Sequence, residues 1–321
     1  MINIAFITNN NNISLGSYRI HIHDLNKYLN DNDVHSRINP GDLSKYNIVI
    51  FQKDIPIVNY KNKKIGMITP NSSNIELLKK LDFIIVGSIE EKQSMIKYNN
   101  NIFIFPQIEN MYLNINPKIH TEQKKIIIGY HGNSLHLNSC ILGINDALEK
   151  LYLKRGYNIE FRIICTTLDD WITKKPKVPI KFIKWNIKTI SEEIKKFDIG
   201  IIPNITEFKN GELNNKEKLG IYNTDIILRF KNKTNIGRLL VFIQHGIPVV
   251  SDLSPSNLHI LGNPKNGFAV LNALGWYDSL HRLCKSYQLR NDISLNAYNE
   301  YKRLYNPNEW TKDLIKNIEN I

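Results

Sequence analysis

Cysteine is scarce. Cys140, Cys165 and Cys284 are the only three in 321 residues, with no CxxC spacing among them. That excludes a disulfide framework and a cysteine-held zinc, and fits buried thiols in a reducing compartment. Long apolar runs are absent too, since none approaches the ~18 residues of a membrane span. The opening "MINIAFITNN" has no basic n-region, and its apolar run gives way to an Asn tract before an h-region can form. No signal peptide is expected, and the chain is placed in the cytoplasm. Metal-ligand spacing is also missing. His21 and His23 lie two apart and do not share a helical face. The "LDDW" stretch (168–171) has no histidine nearby, so it reads as a solvated loop or cap. No bound metal and no cofactor are expected. Acidic residues are outnumbered, 30 against 42 basic, for a net charge of +12. Such a charge suits nucleic acid, an anionic membrane surface or a phosphorylated ligand. No RNA-binding aromatic signature, zinc finger or helix-turn-helix pattern accompanies it, so nucleic acid is not an expected partner. A general enrichment in Ile, Asn and Lys accounts for part of the excess.

What is present is α/β patterning. An apolar fraction of 42% and a charged fraction of 22% are those of a soluble globular chain. Short β-branched runs alternate with helical patterns, which predicts parallel sheets. Strands are expected at 2–8, 47–52, 63–69, 82–88 and 101–106, with helices over 18–31 and 89–98. Residues 107–124, of mixed polarity and no clear period, read as a linker. The theme then restarts: strand 126–132, helix 137–156, and strands in "IEFRIIC", "IKFIKW", "DIGIIP", "IPVVSD" and "GFAVLN". Residues 205–225 read as a mobile loop. The expected fold is two Rossmann-like domains facing a cleft: 1–118, then 119–300, with 301–321 a C-terminal helix packing back on the first domain.

The stretch "ILRFKNKTNIGRLLVFIQHGIPVV" (227–250) carries the most chemistry. Helix N-termini hold unpaired N–H groups and about half a positive charge, so they bind phosphates. Thr234 or Asn235 can cap such a helix, Gly237 allows close approach, and Arg238 can fork onto two phosphate oxygens. Arg229, Lys231 and Lys233 would surround the same anion; a solvated basic loop with an ordinary cap is the plainer alternative. The strand ending in His131-Gly132-Asn133 puts small and polar residues at a carboxyl edge, where α/β proteins bind ligands. There Gly132 admits a phosphate, and His131 is either a hydrogen-bond donor to it or a turn histidine. In "SLGSYRIHIHDL", Gly16 and Ser17 form a loop and Arg19 opens the next helix facing the cleft, with His23 or Asp24 within reach of a substrate. In "FQKD", Lys53 and Asp54 stand at a strand end, where Asp54 is either a general base or a loop cap. Ser254, Ser256 and Asn257 open another helix.

Taken together, two Rossmann-like halves, the Gly16-to-Arg19 loop, "DFIIVGSIEEKQSMIKYNNNIFIFPQIE" and "NKTNIGRLLVFIQHGIPVVSD" resemble the GT-B fold glycosyltransferases of the family 4-like, group 1 type. The resemblance covers nearly the whole chain. It implies a C-terminal domain that binds a nucleotide-activated sugar as co-substrate and an N-terminal domain that binds the acceptor. It implies metal-independent transfer, with basic side chains and a helix N-terminus stabilising the departing phosphate. Many relatives carry Lys/Arg-x-x-Glu before the Gly-x-Pro-Val-Val strand, the Glu holding the donor ribose. Here the frame reads Arg238-Leu239-Leu240-Val241, so the base is kept and the carboxylate is not. A CMP-linked acidic sugar therefore stands beside a nucleoside diphosphate sugar as donor. The expected activity is transfer to a glycan or glycolipid acceptor of the cell envelope, with Asp54, His131 and Arg238 as catalytic residues. Gly132, Asn133, Arg229, Lys233, Thr234, Asn235 and Gly237 would hold donor phosphates, and the basic surface would associate peripherally with the inner face of the plasma membrane. A nucleotide-sugar epimerase and a non-catalytic nucleotide-sugar or glycan binder are the alternatives.

Overall fold

The computed structural model of the protein describes residues 2–53, 62–70, 75–204 and 235–321. Among these, every strand pairing is parallel, in two sheets of six strands. The chain divides into two compact units. One takes Met1–Leu113, Asn235–Gly237 and Lys302–Ile321; the other takes Asn114–Thr234 and Arg238–Tyr301.

In the first unit, β1 (Asn3–Ile7), β2 (His35–Ile38), β3 (Ile48–Gln52), β4 (Lys64–Ile68), β5 (Phe83–Val86) and β6 (Ile102–Ile104) run in the order β2-β1-β3-β4-β5-β6. The central runs IVIFQ and FIIV are buried at every position. Parallel strands lie under helices on both faces, so they are apolar throughout rather than alternating. β2 was not expected, because HSRI shows only Ser36 to the interior and carries no apolar run. It is an edge strand, paired to β1 alone. The helix Pro307–Glu319 belongs to this unit. Asn306 caps it by accepting the Asn308 N–H, and Leu314 and Ile318 enter the core with Leu25, Ile50 and Phe83.

In the second unit, β7 (Ile126–His131), β8 (Ile159–Cys165), β9 (Ile180–Lys184), β10 (Ile199–Ile202), β11 (Val249–Asp252) and β12 (Phe268–Val270) run in the order β12-β11-β10-β7-β8-β9. The chain order reverses between β7 and β10, which puts a topological switch point at their carboxyl ends. The Ala273–Lys285 helix buries Trp276, Ser279, Leu280, Leu283 and Cys284, one stripe of a 3.6-residue period.

One expectation is corrected here. The single helix over 137–156 is instead a 3-10 segment, Ser134–Leu142, then an α-helix, Ile144–Glu149, passing into a π-turn, Lys150–Lys154. The break is Gly143, at φ +136, where a Cβ would lie 2.6 Å from the Ala273 Cα; the backbone turns there to let the Ala273–Lys285 helix approach. Within the stretch 107–124, where the two units divide between Leu113 and Asn114, Ile108, Glu109, Tyr112 and His120 are buried. Two of its polar side chains are paired inside: Glu109 pairs with Arg19 at 2.7 Å, and the His120 Nε2 meets the Gly246 carbonyl at 2.8 Å.

Candidate functional site

At the switch point of the second sheet, polar groups converge from four segments: the ends of β7, β10 and β11, and the first turn of the Gly237–Gln244 helix. Asn235 Oδ1 accepts the Gly237 N–H at 3.1 Å as that helix starts. Arg238 follows. Its Nη2 donates to Asn204 Oδ1 at 2.8 Å, and its guanidinium lies 5.7 Å from the centre of the Tyr130 ring. Gly132, at φ +135, makes this possible, because a Cβ there would meet the Tyr130 hydroxyl at 3.0 Å and the Arg238 Cδ at 3.2 Å. Burial pushes the Tyr130 hydroxyl well above its usual range, so it stays protonated and donates to the Asn133 carbonyl at 2.6 Å.

His131 ends β7, 8% exposed, edge-on to Phe242 with ring centres 4.8 Å apart. Burial, reinforced by the Arg238 charge, lowers its pKa to about 3. The imidazole is thus neutral near pH 7, and its Nε2 has no partner. At the ends of β10 and β11, Asp252 Oδ2 accepts the Asn204 N–H at 2.8 Å and Oδ1 accepts the Trp276 indole N–H at 3.0 Å. Ser251 Oγ donates its hydrogen to the Asp252 carbonyl at 2.8 Å, so it must accept from Asn257 Nδ2 at 2.7 Å. That fixes the amide orientation and leaves Asn257 Oδ1 as an acceptor without a donor. Asn204 Nδ2 and Ser254 Oγ are likewise buried without partners. Orphaned polar atoms are unfavourable in a folded interior, and several at one strand edge mark a place where a polar ligand completes the bonding.

The residues singled out in the sequence are distributed as follows. Gly132 and Arg238 lie at this edge, as do His131, Ser254, Ser256 and Asn257, while Asn235 and Gly237 start the helix that carries Arg238. Asn133 is exposed, and its Oδ1 is used in accepting the Leu135 N–H at 2.8 Å, which opens the 3-10 segment. Ser254, Ser256 and Asn257 are buried rather than lining an open surface. Asp54, Arg229, Lys231, Lys233, Thr234 and the 205–225 loop lie outside the described residues.

In the first unit, Gly16 and Ser17 start a helix running over 16–31, and the Ser17 carbonyl accepts from Gln52 at 2.9 Å. Arg19 does not present a free cation there. It is buried, bound to Glu109 and donating to the Ile13 carbonyl at 3.0 Å, because a lone interior guanidinium needs a counter-charge. Asp24 is also interior, accepting the Asn110 N–H at 3.0 Å. Sequence reading missed Tyr130, Asn204, Asp252 and Trp276. Tyr130, Asn204 and Asp252 could have been found, since each stands at or within two residues of a strand's carboxyl end; Trp276, inside a helix, gives no such signal.

No family model matches the chain, and no curated protein matches its sequence. Solved structures match it in fold. TarM is 13% identical with a TM-score of 0.60, over 84% of this chain and 54% of TarM, so the chain spans about half the length of that protein. HepE from Anabaena, in complex with UDP and glucose, is 10% identical with a TM-score of 0.63 over the full length of both chains. WaaG, a glycosyltransferase involved in lipopolysaccharide biosynthesis, is 11% identical with a TM-score of 0.61, over 97% of this chain and 98% of WaaG. The architecture is the two-domain α/β GT-B fold.

Proposed function

We propose that the chain is a glycosyltransferase that moves a sugar from a nucleotide-activated donor to a glycan or glycolipid acceptor without a bound metal. The observation that carries this reading is Arg238 in the first turn of its helix, packed over Gly132 at the switch point beside Asn204 and His131, each of which has a buried polar atom without a partner. The fold neighbours support it, one of them being HepE in complex with UDP-glucose. The donor phosphates would sit at Gly132, Asn133, Asn235, Gly237 and Arg238, with Arg229, Lys233 and Thr234 as further ligands. Arg238 would neutralise the leaving phosphate, an interaction worth ~3 kcal/mol in the transition state. His131, neutral at working pH, would act through a hydrogen bond rather than a charge. Ser254, Ser256 and Asn257 would complete the donor side. Gly16, Ser17 and Arg19 would shape the acceptor side, and Asp54 would activate the acceptor hydroxyl. A cytoplasmic enzyme of envelope polysaccharide synthesis, held peripherally on anionic lipid, fits the net charge of +12. No helix among the described residues is long and apolar enough to cross a membrane.

The test is UDP binding and sugar turnover in Arg238→Ala. Turnover should fall by about 100-fold, with weaker UDP binding. Wild-type values for both would remove the phosphate-site assignment. Val241, 1% exposed where relatives carry the ribose-holding Glu, favours a second reading: a non-catalytic nucleotide-sugar binder. Binding without turnover on any acceptor would select it.

A further inference from the structure

The second sheet has a polar concavity at the edge opposite the candidate donor site. The amino-terminal ends of β7 and β8 and the start of the Tyr287–Leu304 helix enclose a cavity of about 570 Å³, within the size range of small-molecule sites. Its wall includes Glu122, Lys124, Tyr157, Lys285, Tyr287 and Arg290. Arg290 is the unusual member, because it is only 2% exposed. Its Nη1 donates to the Leu283 carbonyl at 2.7 Å and its Nη2 reaches the Thr121 carbonyl at 3.4 Å, while its Nε N–H has no acceptor. Among the described residues no carboxylate lies within ion-pair distance of it. Asp198 acts on it from further off, and that carboxylate is already bound by Lys118 at 2.9 Å.

A guanidinium keeps its proton, so a buried one without a counter-ion calls for an anion nearby. The surroundings favour one. Lys124 and Lys285 stand exposed on the rim, neither in an ion pair among the described residues, and the 18-residue helix directs its positive end to the same place. Three cations against the single carboxylate of Glu122 leave a net charge of +2 in the wall, the complement of a dianionic phosphate monoester. Tyr157 and Tyr287, with the amides of Asn158 and Gln288, supply flat and hydrogen-bonding surface for a hydroxylated body.

We propose that this cavity is a second ligand site that binds a phosphate monoester of a small hydroxylated molecule, its phosphate among Arg290, Lys124 and Lys285. It is independent of the nucleotide reading, since it lies at the amino end of strands whose carboxyl ends form the candidate donor site. The test is calorimetric titration of the full chain with glycerol 3-phosphate, using glycerol and inorganic phosphate as comparators, and hydrogen exchange to locate the site. The ester should bind saturably and protect residues 122–126 and 284–290. Glycerol should not bind, and saturating UDP should leave the ester in place. Lys124→Glu combined with Lys285→Glu, both on the surface and so compatible with folding, should weaken binding by roughly tenfold or more. Arg290→Met should abolish it where that variant folds. No saturable binding, displacement by UDP, indifference to the lysine reversals, or inorganic phosphate binding as tightly as the ester would each overturn the proposal.

Discussion

Arg238 reaches its place because Gly132 has no side chain. With φ at +135 and the Arg238 Cδ 3.2 Å from where a Cβ would stand, Gly132→Ala is both strained and obstructive. It should cost about 1–3 kcal/mol of stability and weaken UDP binding, measured by denaturation and calorimetry on the same sample. His131 carries a pH signature. Its pKa falls from 6.5 to about 3 on folding, so between those values the unfolded chain binds a proton that the folded chain does not. Stability should therefore decrease as pH drops through that window, by about 1.4 kcal/mol per unit from this group, and His131→Phe should remove that part of the slope. Asp198 behaves in the same direction at lower pH. Burial alone would raise its pKa, but His120, Lys118 and the Ile127 N–H outweigh it and hold the value at about 2. Its contribution is full above the ordinary carboxylate pKa of 3.8 and is lost as pH falls toward 2. Asp198→Asn should cost about 2 kcal/mol near neutrality and less in acid, as urea titrations at several pH values would show.

At the scale of elements, three central strands have a glycine beneath a phenyl ring. A Cβ on Gly66 of β4 would fall 2.2 Å from Phe83, on Gly129 of β7 1.9 Å from Phe197, and on Gly200 of β10 2.9 Å from Phe242. These glycines are kept for space. Gly129→Ala forces the ring or the strand aside and should destabilise by about 1–3 kcal/mol, visible as a lower melting temperature with the parallel sheet retained in circular dichroism. Elements with a continuous apolar run were legible, because period and burial agree in β3, β5 and β10. β2 was not, since an edge strand paired on one side needs only one buried residue. The helix over 137–156 was drawn whole because Gly143 looks like any tolerated helix glycine until its neighbour Ala273 is known. At the candidate site, Arg238 and Gly132 were legible from their company. For Arg19, nothing local tells that Glu109, far along the chain, neutralises it.

At the scale of the molecule, the last segment returns to the first unit. Leu314 and Ile318 join the core built around β1 and β3, and Lys64 Nζ donates to the Ile318 carbonyl at 2.9 Å. Ending the chain after Tyr301 should remove about 4 kcal/mol of apolar burial from that unit and expose its core, detectable by dye binding and faster proteolysis of residues before 113. The sequence by itself determined the apolar central strands, the parallel α/β class and the helix start at Asn235 to Arg238, because these follow from local periodicity, turn chemistry and capping. Tertiary structure alone decided which polar residues were satisfied and which were left over. Arg19 and Asp198 find counter-charges from distant segments, whereas His131, Asn204, Ser254 and Asn257 meet at one sheet edge with bonds unfilled. Hydrogen-bond completion is a property of neighbours in space, and the order of residues along the chain does not specify those neighbours.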